Sequence, residues 1–250
     1  MFLHVLLAAL AAGAAAPAPE GPLTVSAAIS LTEALEAVAD AWRRSGGADV
    51  RFNFGASNSL ARQILLGAPV DAFVSADAAQ MDLVERAGRL VPGSRVEVVR
   101  NRLAVVARPA SAAFVREQFD RAPPEIRRLA IGDPQAVPAG VYAGQYLESR
   151  GLWTAYRSRV VPAASVRAAL AAVENGAADA AIVYASDVRV ARRAVLSFVV
   201  DPREGPPIVY PGAAIAASTR QSDVAAFLAF LRSPEAQAVF ERHGFLPLAR

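Results

Sequence analysis

Apolar runs of strand length alternate with amphipathic helical stretches along most of this chain, and that rhythm restricts its fold more than any other feature. LTVSAA (23–28) gives way to SLTEALEAVADAW, where Leu31, Leu35, Val38 and Trp42 recur at helical spacing. Ser30 or Thr32 is placed to cap that helix, and Glu33, three residues after Ser30, completes a capping-box pattern. DVRFNF alternates like a strand and SLARQILL continues as a helix until Gly67; VDAFVSA is a buried strand and DAAQMDLVERAG a helix stopped by Gly88. Successive alternations of this kind imply parallel βαβ units, because parallel strands need a long crossover that a helix supplies.

The pattern resumes downstream. RLAVVARP (102–109) and RRLAIGDP carry strands, AGVYAGQYLESRG and SVRAALAAVENG are helical, and DAAIVYAS and AVLSFVV are strands again. IVYPGAAIA reads as a strand returning to the first unit, followed by helices near 221–232 and 234–243. The expected fold class is therefore α/β, with two lobes, each a mainly parallel sheet flanked by helices. Residues 20–100 and 205–250 form lobe I and residues 101–204 an inserted lobe II, with crossings near 98–104 and 200–208. One continuous doubly wound sheet is the alternative. In either arrangement a ligand belongs outside the carboxyl ends of the parallel strands, in the cleft.

Composition removes whole classes of function. The 250 residues are 54% hydrophobic and 20% charged, with a formal net charge of only +3. All 26 basic residues are Arg; with no Lys, Schiff-base chemistry and the phosphate-gripping lysine of a P-loop are excluded. The arginine pairs 43–44, 127–128 and 192–193 are isolated and lack interleaved aromatics, which argues against nucleic acid as a partner. With no Cys, disulfides, thiolate catalysis, Cys-based metal sites and a lipoprotein anchor are excluded as well. The only histidines are His4 and His243, and His243 belongs to a helix end just before Gly244.

The N-terminus, MFLHVLLAALAAGAAAPAPEGP, holds an apolar run too short to span a bilayer, followed by small residues and Pro. Residues 1–19 are read as a cleaved secretory signal, although the usual positive n-region is missing. An exported, soluble, periplasmic protein is the expectation.

Polar groups gather where strands turn into helices. Ser30 follows LTVSAA, Ser57 follows VRFNF, the corner DPQAVPAG (133–140) follows LAIG, and a further helix opens around Ser165 and Val166. Each corner offers unpaired backbone amides at the positive end of a helix dipole. Several such ends facing one cleft make an anion site without a cationic side chain, to which serine hydroxyls and Tyr184 in AIVYAS add donors. Ordinary capping is the competing account of any single serine at a helix start.

At these corners the sequence resembles the periplasmic molybdate-binding proteins of ABC importers. The resemblance covers nearly the whole mature chain and rests on TVSAAISLTEAL, NFGASNSLARQILLGAPVDAFVSAD, IGDPQAVPAGVYA, SVRAALAAVENGAADAAIVYASD and SPEAQAVFERHGF. It implies the periplasmic-binding-protein fold of the type with two chain crossovers (type II). It also implies capture of molybdate, and of tungstate, by hydrogen bonds alone, as a monomer that delivers the ion to an ABC transporter permease in the inner membrane. Carried over by motif, the oxyanion contacts fall on the hydroxyls of Ser30, Ser57 and Tyr184 and the backbone amides of Ala139 and Val166. They meet the metal only through the oxygens of molybdate, and no resident cofactor is implied. Ile29 stands where the family usually has a small residue, and Asn58 where Ser or Gly is common.

Other readings are weaker. The same fold holding sulfate stays open, since both ions are dianions with four acceptor oxygens. Phosphate is disfavoured because its protonated form wants a carboxylate acceptor and the matched corners hold none. A hydrolase using Ser57 or Ser59 lacks both a G-x-S-x-G elbow and a nearby base. Asp71, Asp77 and Asp82 are expected in solvated or capping roles rather than on a metal, and VRVARR on a solvated face.

Overall fold

The computed structural model describes residues 21–108 and 114–248, so the signal segment read at 1–19 lies outside the described residues. Two separate five-stranded sheets are present, not one continuous sheet. The first is built from β1 (Leu23–Ala28), β2 (Val50–Gly55), β3 (Ala72–Val74), β4 (Val96–Asn101) and β10 (Ile208–Ala214), in the order β2-β1-β3-β10-β4. The second takes β5 (Leu103–Ala107), β6 (Leu129–Gly132), β7 (Val160–Ala163), β8 (Ala180–Tyr184) and β9 (Val195–Val199), in the order β7-β6-β8-β5-β9.

The two sheets repeat one plan. β1 pairs in parallel with β2 and β3, and β6 in parallel with β7 and β8. In each sheet the fourth strand in spatial order, β10 or β5, runs antiparallel to both of its neighbours. The chain leaves the first sheet at Asn101, enters the second at Leu103, and returns between Val199 and Ile208. The strand expected at 102–109 is β5, whereas β4 just before it was not among the expected strands. β4 and β5 belong to two different sheets and are separated only by Arg102.

Helices fill the connections. In the first lobe these are α1 (Thr32–Arg44), α2 (Ser57–Leu65) and α3 (Ala78–Arg86). The second lobe has α4 (Arg116–Phe119), α5 (Pro138–Ser149), α6 (Trp153–Tyr156), α7 (Val166–Glu174) and α8 (Ala185–Val188), and α9 (Gln221–Leu231) and α10 (Pro234–Arg242) close the chain. α2 and α3 end where Gly67 and Gly88 adopt φ of +90° and +66°, a left-handed turn that side chains with a Cβ resist.

Burial explains why the strands are so apolar. β5, β6 and β8 are buried along their whole length, as strands covered by helices on both faces must be. α1 turns Ala34, Leu35, Val38 and Ala41 inward, and its Trp42 packs edge-on to Phe227 of α9 while donating its indole N–H to the Ala48 carbonyl at 2.9 Å. Each such side chain withdrawn from water contributes about 1.5–3 kcal/mol. A smaller cluster of Leu60, Ile64, Phe73, Met81 and Val84 seats α2 and α3 on the first sheet.

The aspartates play the expected structural parts. Asp77 caps α3 by accepting from the Gln80 amide, Asp71 accepts from the Thr24 amide and the Ser218 hydroxyl, and Asp82 pairs with Arg95 at 2.5 Å. Among the described residues no cluster of acidic or histidine side chains suits a metal ion, and no helix is long and apolar enough to cross a membrane.

Candidate functional site: an uncharged cavity between the lobes

The carboxyl ends of the parallel strands of both sheets meet around one cavity of about 220 Å³. From the first lobe it is lined by Ala28, Ile29 and Ser30 after β1, by Gly55, Ala56 and Ser57 at the β2–α2 corner, and by Ala76 after β3. From the second come Val137, Pro138 and Ala139 at the start of α5, Val166 at the start of α7, and Tyr184 at the end of β8. All five residues singled out from sequence therefore share this one wall. Among the described residues no Arg, Asp or Glu lines it.

Helix starts supply the amides. α2 and α5, whose first turns line the cavity, open with no side-chain cap. The Ala139 amide has no intrahelical acceptor because it lies in the first turn of α5, directly after Pro138, which has no N–H to give. α5 can start this close to β6 because Gly132 and Gly140 have no side chains. A Cβ on Gly140 would lie 2.0 Å from the Gly132 carbonyl oxygen. At α7, Ser165 caps the Ala168 amide and leaves that of Val166 without an intrahelical acceptor.

The hydroxyls are set as donors. Ser57 Oγ accepts from the Ala76 amide at 2.9 Å, which leaves its own proton for the cavity. Ser30 sits in a 3-10 turn (Ile29–Leu31) instead of capping α1, and its Oγ lies 3.0 Å from the Tyr210 hydroxyl. Thr32 donates back to the Ile29 carbonyl, so the capping box expected from sequence does not form. Tyr184 is the most telling: its hydroxyl is buried and has no hydrogen-bond partner among the described residues. Burial pushes this phenol well above its ordinary value of 10.0, helped by Tyr210, Tyr142, Asp77 and Asp187, so it stays protonated. An unmet buried hydroxyl costs about 1–3 kcal/mol, which a ligand oxygen placed against it recovers.

The guanidinium that follows Val166 in the chain is already engaged. Arg167, next to Val166, donates from Nε to Asp187 at 2.6 Å and through both terminal nitrogens to Glu33. Two carboxylates thus neutralise one cation, and the cavity keeps no free positive side chain. Ile29 narrows the first-lobe wall; Asn58 does not line the cavity and leaves its Oδ1 buried and unpartnered inside α2.

The family model for bacterial extracellular solute-binding proteins matches residues 23–246. The chain belongs to that family. Within it, this solute-binding protein is of the ModA type, being 38% identical over 232 residues to the molybdate-binding protein ModA of Escherichia coli (strain K12), covering 91% of this chain and 90% of that one. It is 34% identical to the molybdate-binding protein ModA of Haemophilus influenzae, covering 91% of each chain. The solved periplasmic molybdate-binding protein of Azotobacter vinelandii superposes with a TM-score of 0.80 at 25% identity, covering 91% of this chain and all of that one. The solute-binding protein also has features that sequence reasoning missed. Tyr210 and Asn101 stand behind Ser30, and the Arg167–Glu33 pair joins the lobes; both depend on contacts between distant segments that leave no local signature.

Proposed function

We propose that this solute-binding protein captures molybdate, and tungstate with it, in the periplasm and hands the ion to the permease of an ABC importer. The single observation that carries the reading is the lining of the interlobe cavity, which offers hydroxyl and amide donors and no charged side chain. A fully ionised tetrahedral oxyanion has acceptors only and needs nothing but donors. The proposed donors are the hydroxyls of Ser30, Ser57 and Tyr184 and the amides of Ala139 and Val166. They act as oriented dipoles in a site that closure shields from water, where each is worth more than it would be in solvent. Family membership supports the transport role and gives no reason to look for catalysis.

On this reading residues 1–19 direct export, the mature chain works as a monomer without a resident cofactor, and the metal is cargo reached only through its oxygens. Ions of equal charge are separated by fit, since neutral donors cannot distinguish them by charge. Calorimetric titration with molybdate, tungstate and sulfate at matched ionic strength tests the assignment. Tight binding of the first two and much weaker binding of sulfate is the expected result. Preference for sulfate would move the reading to that ion, and no heat with any of the three would end it.

A further inference from the structure

Behind Ser30 lies a chain of buried polar groups that the cavity lining does not reveal. Asn101 Nδ2 donates to the Ser186 hydroxyl at 2.9 Å and to the Tyr210 hydroxyl at 3.3 Å. Its Oδ1 accepts from the Arg102 amide at 2.9 Å, which fixes which end of the side-chain amide carries the hydrogens. Tyr210 oxygen is thereby an acceptor from Asn101, and its single proton needs a partner of its own. Ser30 Oγ, 3.0 Å away, is the partner in place. The ring of Tyr210 is held edge-on between those of Tyr184 and Phe245, and Asn101, Ser30, Ser186 and Tyr210 are all buried. Water is therefore no alternative recipient for the proton.

We infer that Asn101 and Tyr210 are positioning residues that orient the Ser30 hydroxyl, obliging it to accept from behind and donate into the cavity; this rests on the reading of the cavity as an oxyanion site. A serine hydroxyl has one proton and can present either that proton or a lone pair. Facing a dianion, the two choices have opposite signs. The chain from Asn101 through Tyr210 to Ser30 removes the wrong one before the ligand arrives, as preorganisation requires. Its placement adds a second consequence. Asn101 ends β4 where the chain leaves the first sheet, Tyr210 lies on β10 where it has returned, and Ser186 belongs to α8 of the second lobe. The polarity of one ligand donor is thus set by residues that join the lobes.

A mutant cycle separates this from simple packing. The full chain, Tyr210→Phe, Ser30→Ala and the double variant are titrated calorimetrically with molybdate, with ligand-free melts confirming that each is folded. Tyr210→Phe is expected to weaken binding about tenfold when Ser30 is present and by less than about twofold in the Ser30→Ala background, because the tyrosine acts through the serine. Equal losses in both backgrounds, or no loss in the single variant, overturn the inference. If Tyr210→Phe does not fold, Asn101→Ala is carried through the same cycle, where coupling to Ser30 supports the inference and additivity overturns it. Failure of the underlying oxyanion reading shows separately, as absent binding of molybdate, tungstate and sulfate by the unaltered protein, and it removes this inference as well.

Discussion

Arg167 of α7 holds both carboxylate oxygens of Glu33 of α1, at 3.0 and 2.7 Å, and so ties the second lobe to the first. Burial, the largest single influence, raises the Glu33 carboxyl, but the hydrogen bonds and charge of Arg167, a backbone amide and the charge of His243 together hold the group below its ordinary value. The pair spans the lobes, so any separation of the lobes would break it. A ligand that favours the closed form and this ion pair therefore support one another.

Glu33→Gln is expected to weaken molybdate binding by about 0.5–1 kcal/mol, roughly two- to fivefold, the modest scale of a partly exposed pair. The loss should appear mainly in the dissociation rate, measured by stopped-flow displacement. An unchanged rate and affinity would show that the pair contributes nothing to closure.

Tyr184→Phe and Ser57→Ala should part company in the ligand-free protein. Tyr184→Phe removes a buried hydroxyl that has no partner, so the empty protein should melt at the same or a higher temperature. Ser57→Ala deprives the Ala76 amide of its acceptor and should lower the melting temperature. Both should cost about 1–3 kcal/mol of molybdate binding in calorimetry, the range for hydrogen bonds to a charged group. A stable Tyr184→Phe protein with full affinity would remove Tyr184 from the site.

Asp187 supplies a pH signature. Burial pushes its carboxyl from 3.8 up to about 6, although Arg167 and the Tyr184 amide pull the other way. The folded protein thus binds the proton more tightly than the unfolded chain. The resulting stabilisation is fully present below 3.8 and lost as pH rises through about 6. Urea unfolding from pH 3.5 to 7 should show the stability of the parent protein falling relative to that of Asp187→Asn as pH rises through this window. A difference that is flat, or rises with pH, would contradict the assignment.

The alternation of strands and helices was readable because each element buries a face with its own period. The corners LTVSAAIS, FGAS, PQAVPAG and SVRA were readable because a helix start after a strand leaves amides unpaired wherever it lies. Two strands, β4 and β7, and the one-turn helices α4, α6 and α8 escaped. β4 carries Glu97, Arg100 and Asn101, which dilute its apolar pattern, and β7 is short and contains Pro162. Partnerships between distant residues escaped too. Glu33 looked like half of a capping box but pairs with Arg167, 134 residues away, and Ser30 meets Tyr210 across 180 residues. Local spacing encodes which groups are left unpaired and says nothing about which distant group will claim them.

The account's central claim is that uncharged donors alone hold a dianion between the lobes. Its most direct test is a crystal structure of the protein grown with molybdate, with the metal located by its anomalous scattering. The account predicts a single metal peak in the interlobe cavity. The four oxygens should lie within hydrogen-bonding distance of the Ser30, Ser57 and Tyr184 hydroxyls and the Ala139 and Val166 amides, with Arg167 still paired to Glu33 and Asp187. A peak outside that cavity, or an Arg167 guanidinium turned away from its carboxylates to bind the ion, would contradict it.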